Sequence, residues 1–383
     1  MSGGVDSSAT AALLIEQGYD VIGITLKLWP QDCVNRAEDK CCGPQAVTDA
    51  RSVCDKLDIP YYLIDEAAEF QKHVIQYFAD EYKAGRTPNP CVMCNQNLKF
   101  GRLIDRADQL GADFIATGHF ARIERVNVPL DESRRRHEES LTEKSEIGNR
   151  KSEINQRLVT SSPTRYLLKR GRDLRKDQSY FLFSLRQDQL ARAIFPLGEK
   201  TKSDTREVAR HCNLKTADKE ESMEICFVPD NNYGGFLQSA NLVQKQRGDI
   251  VDLHGHVLGQ HDGIAFYTIG QRKGLGITTS KPVYVVELDA DNNRVVVGDD
   301  SALDRDEFIA DRCNWHPFDK LMEPIEVTAK IRYNHPGTAA TISPLENNRV
   351  KVKLHTPQRA ITPGQAAVFY QDDLVVGGGW IMR

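Results

Sequence analysis

From Ser7 to about Phe120 the apolar positions fall into two periods. Helical stretches follow the Gly3-Gly4 pair and run over 46–57, with two more before residue 113. Short apolar runs stand between them at 21–29, 61–65 and 113–117. Strand-length apolar runs interleaved with helical periods predict βα units and a parallel, helix-covered sheet of Rossmann-like type, with ligands at the carboxyl ends of the strands. Beyond residue 228 the pattern changes. Segments 249–252, 283–288, 294–297, 325–333, 349–354 and 366–380 read as strands punctuated by glycine. Short strands at close spacing predict a small β-rich module followed by a β-barrel.

The chain therefore divides into an α/β domain over 1–228, a central β-rich domain over 229–298 and a C-terminal β-barrel over 299–383. Within the first, residues 131–157 carry 14 charged side chains in 27 positions and no Phe, Tyr or Trp. Such a segment cannot bury a face of its own and reads as a solvated insertion. A length of 383 residues fits several cores better than one. No run of about 20 apolar residues is present, and Met1 to Asp6 has neither the basic nor the apolar region of a signal peptide. The expectation is a cytoplasmic protein without a membrane span.

A net charge of −4 argues against a protein that coats nucleic acid indiscriminately, so any RNA site must be a local patch. Arg165, Lys169, Arg170, Arg172, Arg175 and Lys176 supply one candidate; the same residues also read as a solvated helix face. Nine cysteines, an odd number spread over a long chain, do not form the disulfide framework of a small secreted domain.

Ser2-Gly3-Gly4-Val5-Asp6-Ser7-Ser8 leads directly into the helical stretch that begins at Ala9. Two glycines open backbone angles closed to other residues, so successive N–H groups can converge on an anion at the positive end of the helix. The hydroxyls of Ser2, Ser7 and Ser8 can add donors. Taken alone, the segment has a plainer reading as a Ser/Asp helix cap, the lesser of the two. No Gly-Lys-Ser/Thr ending follows, which excludes the loop that reaches a γ-phosphate through its own lysine. The segment instead resembles the PP-loop of ATP pyrophosphatases. That resemblance implies an adenine nucleotide α-hydrolase-like fold, cleavage of ATP between its α and β phosphates, and Asp6 close to magnesium and pyrophosphate. Members of that superfamily carry an apolar strand just before the loop. Here the loop begins at residue 2, so it is expected to lack that anchor in the sheet.

Cys91-Val92-Met93-Cys94 lies between Pro88-Asn89-Pro90 and a helix predicted to start near Asn95. A cysteine at a helix head tends toward thiolate, the form a nucleophile needs. Half of a four-cysteine zinc site is the alternative, but the sequence has no second Cys-x-x-Cys. Cys226 sits in an apolar, strand-like segment and by itself reads as a buried thiol. Cys33, Cys41, Cys42, Cys54, Cys212 and Cys313 read as structural or incidental.

The cysteines and the loop acquire meaning together, because an adenylating loop plus two distant cysteines are the parts that sulfur insertion requires. With the segments Asn89 to Asn95, Ile115 to Arg122, Lys176 to Tyr180, Ile225 to Phe227, Tyr267 to Gly276 and Ile331 to Tyr333, the chain resembles the bacterial tRNA-specific 2-thiouridylases from end to end. The resemblance implies a nucleophile at Cys94 and a persulfide carrier at Cys226, with a disulfide between them at the end of a turnover. It places Ser2, Gly3, Gly4, Val5, Asp6, Ser7, Ser8, Leu26 and Gly118 around ATP, and Asn89, Pro90 and Cys91 at the target base. Lys176, Asp177, Gln178, Arg332 and Tyr333 would touch tRNA. It further implies ATP and magnesium, a persulfide sulfur source, the anticodon loops of tRNAs for Lys, Glu and Gln, and a cysteine desulfurase or sulfur-relay partner. An iron–sulfur cluster on Cys91, Cys94 and Cys226 is a less favoured alternative. Rival readings are another PP-loop adenylating synthetase and a non-catalytic RNA-binding protein.

Overall fold

The computed structural model describes residues 1–28, 43–127, 164–220, 225–228 and 232–382. The predicted insertion at 131–157, Cys33, Cys41, Cys42 and the segment 221–224 lie outside the described residues. The first domain holds β1 (Gly23–Lys27), β2 (Tyr61–Asp65), β3 (Ile115–Ala116), β4 (Ala121–Asn127), β5 (Thr164–Arg170) and β6 (Ala193–Ile194). Its parallel strands form two pairs, β1 with β2 and β3 with β6. Met1 lies along β1: its amino group donates to the Ile24 carbonyl, and Thr25 Oγ1 donates to the Met1 carbonyl at 2.8 Å. The helix Val5–Glu16 buries Val5 and every residue from Ser8 to Leu14, so it is enclosed on nearly all sides rather than laid on a surface.

Patterning missed the hairpin of β4 and β5, which pairs Ala121 with Arg170 through Asn127 with Thr164. The run from Arg165, read above as a basic stretch, begins as its second strand. The hairpin joins the C-terminal domain through Leu374 and Lys169.

In the central domain, β7 (Gly248–Val251), β8 (Val257–His261), β9 (Tyr284–Asp289) and β10 (Arg294–Gly298) form a sheet in the order β8-β7-β10-β9. Ile250, Val285, Leu288, Val295 and Val297 fill its core. The C-terminal strands are β11 (Asp304–Trp315), β12 (Ile325–Lys330), β13 (Thr338–Leu345), β14 (Arg349–Arg359), β15 (Ala366–Gln371) and β16 (Leu374–Ile381). They run β11-β14-β13-β12-β15-β16, and pairing of β16 with β11 closes a six-stranded barrel. On β14, Val350, Val352 and Leu354 point inward while Lys351 and Lys353 face solvent, the period-2 alternation of a half-buried strand.

The apolar run at 366–380 is two strands, not one. Asp372, with φ of +52°, turns the chain between them. Both strands are buried on both faces because each serves two cores. Ala367, Phe369 and Val376 point into the barrel, whereas Ala366, Val368, Tyr370, Val375 and Trp380 pack with the first domain against Val92, Phe100, Leu168 and Tyr180. Alternating side chains on one pair of strands thus weld barrel to first domain.

Gly378 sits where that weld is tightest: a Cβ there would lie 2.6 Å from Phe183 Cδ2 and 2.7 Å from the Ala367 carbonyl oxygen. Gly378→Ala is expected to cost about 1–3 kcal/mol through overpacking, read as a lowered urea midpoint. An unchanged midpoint would show that the seam yields without cost.

Candidate active site

The loop at residues 2–8 is held by backbone geometry rather than by a side-chain cap. Gly4 is the N-cap of helix Val5–Glu16 and no side chain caps it. Gly3 takes φ of +67°, and a Cβ on it would come 2.3 Å from the Ala46 carbonyl oxygen. The loop is therefore pressed against the first turn of the helix Pro44–Leu57, and two helix N-termini stand side by side. Each contributes unpaired N–H groups and partial positive charge, a setting that favours an anion. Ser7 and Ser8 hydroxyls donate to the Gly4 carbonyl at 3.1 and 2.9 Å, and Ser2 Oγ lies 3.2 Å from Ser7 Oγ. Val5 packs with Val53, Ala209, Leu214 and Ala217, anchoring the loop in a core.

Gly118 follows β3 and meets the loop directly, since a Cβ there would lie 2.8 Å from Asp6 Cβ. His119 is buried between Phe100 and Phe195 with Nδ1 2.8 Å from Thr117 Oγ1, and burial holds its imidazole well below the usual value, hence neutral. Phe120 exchanges bonds with Gln178: its N–H donates to Gln178 Oε1 at 3.0 Å and its carbonyl accepts from the Gln178 N–H at 2.9 Å.

The cysteine helix begins earlier than its sequence pattern indicates. It spans Pro90–Cys94 with Asn89 at the N-cap, then continues as a π-helix over Asn95–Arg102. Cys91 therefore occupies the helix head and Cys94 the end of the first turn, where the dipole effect has largely decayed. Cys91 is solvent-exposed, yet desolvation by the surrounding protein and the neighbouring Cys94 push its thiol up to about 11. The segment before the helix is strapped to the barrel: Thr87 N–H donates to the Pro363 carbonyl, and Gln365 Nε2 donates to the carbonyls of Thr87 and Pro88 at 3.2 and 3.1 Å.

Cys226 lies in a turn closed by Val228 N–H to the Ile225 carbonyl, not in a strand. Cys94, Cys226 and Leu26, more than 60 residues apart in sequence at their nearest, all pack on one cluster built from Phe70, Val74, Phe78, Leu98 and Phe227. Among the described residues no three His, Cys, Asp or Glu side chains converge as a metal site.

The residues assigned above to tRNA divide. Asp177 is buried and accepts from the N–H groups of Gly171 and Ser179 at 3.1 and 3.0 Å and from Ser179 Oγ at 3.0 Å. Tyr333 packs on Phe181 at 4.4 Å between centroids, so the two distant segments do meet, and Arg332 is exposed. Most of the basic stretch is spent internally. Arg165 pairs with Asp319, Lys169 with Glu124 and Asp373, and Arg170 covers the Tyr370 ring at 4.0 Å. Sequence reasoning missed Lys202 and Lys219 beside the loop, and the part played by Tyr267 to Gly276. Gln271, Arg272 and Lys273 from that segment line an open cavity of about 790 Å³ with Asn232 to Gly235.

An anion cradle without a lysine of its own, opening the first helix of a parallel α/β layer, defines a PP-loop nucleotide-dependent enzyme. Family models match along the whole chain: a tRNA methyl transferase HUP domain over residues 1–230, its PRC-barrel domain over 235–299, and an aminomethyltransferase beta-barrel domain over 305–381. The tRNA-specific 2-thiouridylase MnmA of Clostridium acetobutylicum is 46% identical over 382 residues, covering 100% of this chain and 98% of the relative. That of Heliobacterium modesticaldum is 47% identical over 385 residues, covering 100% and 91%. The chain belongs to the tRNA-specific 2-thiouridylase family.

Asp177→Ala should lower stability by about 2–4 kcal/mol, because it strands two buried N–H donors; unchanged thermal unfolding would mark Asp177 as a surface contact instead. Alkylation of Cys91 by iodoacetamide, mapped by mass spectrometry, should accelerate about tenfold per pH unit between 7 and 10, since its thiolate fraction rises in that proportion below the thiol pKa. A plateau starting near pH 7 would contradict the raised value.

Proposed function

We propose that this protein uses ATP to activate the C2 oxygen of the wobble uridine in tRNAs for Lys, Glu and Gln, and replaces it with sulfur carried as a persulfide on Cys226. Membership of a tRNA sulfurtransferase family supports ATP use and a tRNA substrate. The observation that carries the finer reading is the packing of Cys94, Cys226 and Leu26 on one cluster, since Leu26 lies on the strand hydrogen-bonded to Met1 at the nucleotide loop.

Uridine O2 is a poor leaving group as hydroxide. Its attack on the α-phosphate of ATP expels pyrophosphate and leaves the oxygen as an AMP ester. The N–H groups of Gly3, Gly4, Val5 and Asp6, with hydroxyls of Ser2, Ser7 and Ser8, would stabilise charge on the departing pyrophosphate, and Gly118 lets the loop pack closely at Asp6. Asp6 and the phosphates would hold magnesium, which supplies charge neutralisation. Asn89, Pro90 and Cys91 would present the base, beside the half-buried Cys94.

The terminal sulfur of the Cys226 persulfide attacks C2 and AMP departs. Cys94 thiolate then attacks Cys226 Sγ, which breaks the S–S bond to the base, leaves sulfur on C2 and forms a Cys94–Cys226 disulfide. An external thiol reductant returns both cysteines, and a cysteine desulfurase or relay protein reloads Cys226. Lys176, Arg332 and Tyr333 would engage tRNA, with Tyr333 as a stacking ring and Arg332 as a phosphate contact, while Asp177 and Gln178 hold the turn behind them from inside. The cytoplasm, where tRNA and ATP occur together, is the compartment this implies.

Purified protein given unmodified tRNA, ATP, magnesium and a persulfide source should yield 2-thiouridine on digestion and mass spectrometry. Cys94→Ala and Cys226→Ala should each abolish it while tRNA-dependent pyrophosphate release persists. Product formed without Cys94 would overturn its assignment, and no product with the unaltered chain would overturn the reaction.

A further inference from the structure

A nucleotide triphosphate with its magnesium still brings net negative charge, and the PP-loop supplies only dipoles and hydroxyls against it. Two ammonium groups from a distant stretch of chain stand at the loop. Lys202 Nζ lies 2.6 Å from Asp6 Oδ1, with Phe120 beneath it at 5.6 Å. Lys219 Nζ lies 3.2 Å from the Gly3 carbonyl oxygen and 2.6 Å from Asp49 Oδ2. Both side chains are mostly buried, at 12% and 27% exposure, so solvent screens their charge only in part.

One helix positions both. Lys202 opens the helix Lys202–His211, whose start is fixed by a capping box between Thr201 and Asp204 and which packs on the helix that carries the loop. From its second turn Arg206 donates to the carbonyls of Ala217 and Lys219 at 2.8 and 3.3 Å, setting the backbone from which Lys219 reaches back. Such bracing is more than two surface ion pairs need.

We propose that Lys202 and Lys219 are phosphate ligands of the nucleotide site, held by Asp6, Asp49 and the Gly3 carbonyl until ATP displaces those partners. The inference rests on the ATP-dependent reading above and adds residues to its site. Asp6, which would turn to magnesium, releases Lys202 toward a phosphate oxygen in the same event. Lys219 keeps a donor in hand, because an ammonium offers three and the two bonds described use two. With the loop's two helix N-termini, the lysines would supply the charge that the sequence Ser2 to Ser8 lacks.

The test is calorimetric titration of the full-length protein with ATP, pyrophosphate and AMP, each with magnesium, alongside tRNA-dependent pyrophosphate release. Lys202→Gln and Lys219→Gln should each weaken ATP and pyrophosphate binding about 10- to 100-fold, as expected for loss of a charge-assisted bond. AMP binding should stay within about twofold, and Lys202→Arg should recover most of the loss, because it restores the charge. Unchanged ATP affinity in both glutamine variants would overturn the proposal. So would an equal fall for ATP and AMP with a lowered melting temperature, which marks the lysines as structural. If the unaltered chain binds ATP but releases no pyrophosphate with tRNA, the functional reading fails while the affinity comparison still decides the lysines.

Discussion

Asp177 organises the molecule. Its buried carboxylate gathers Gly171 N–H, Ser179 N–H and Ser179 Oγ, and so shapes the turn Ser179–Phe181 on which three parts of the protein converge. Gln178 binds Phe120, two residues from the glycine that touches the nucleotide loop. The Phe181 carbonyl accepts from Asn95, the residue after Cys94, at 3.0 Å. Tyr180 Oη donates to the Ala366 carbonyl at 2.8 Å, and the Ser179 hydroxyl meets Tyr370 Oη at 3.2 Å, both on β15 of the barrel. A buried carboxylate is tolerated only when its oxygens are satisfied, and satisfying this one ties together loop, cysteine helix and barrel.

The barrel is consequently part of the site rather than an appendage. β15 and β16 contribute alternate side chains to two cores, and Gln365 with Pro363 straps the segment 87–88 that leads to Asn89 and Cys91. The barrel thus both holds the segment 87–88 and carries Tyr333, which packs on Phe181 of the first domain.

Charge at the two sites is handled differently. Around the nucleotide loop, cations are drawn from remote segments and kept beside it by carboxylates. Along the basic stretch they are consumed by Asp319, Glu124, Asp373 and the Tyr370 ring. A count of lysines and arginines along the chain overstates the field because their partners come from another domain.

The sequence by itself determined the α/β layer, the β-rich remainder, the nucleotide loop and the family, because these depend on local period and on contiguous motifs: two glycines ahead of a helix, an Asn-Pro-x-x-x-Cys run, alternation on strands. Only the tertiary structure decided that Cys94 and Cys226 share a cluster, that Cys91 rather than Cys94 heads its helix, and that the run 366–380 folds back on itself. It also decided that Lys202 and Lys219 reach the loop and that Asp177 is buried. Each of these turns on which distant segments meet across a core, and burial, pairing and unpaired charge belong to that meeting rather than to any one stretch of chain.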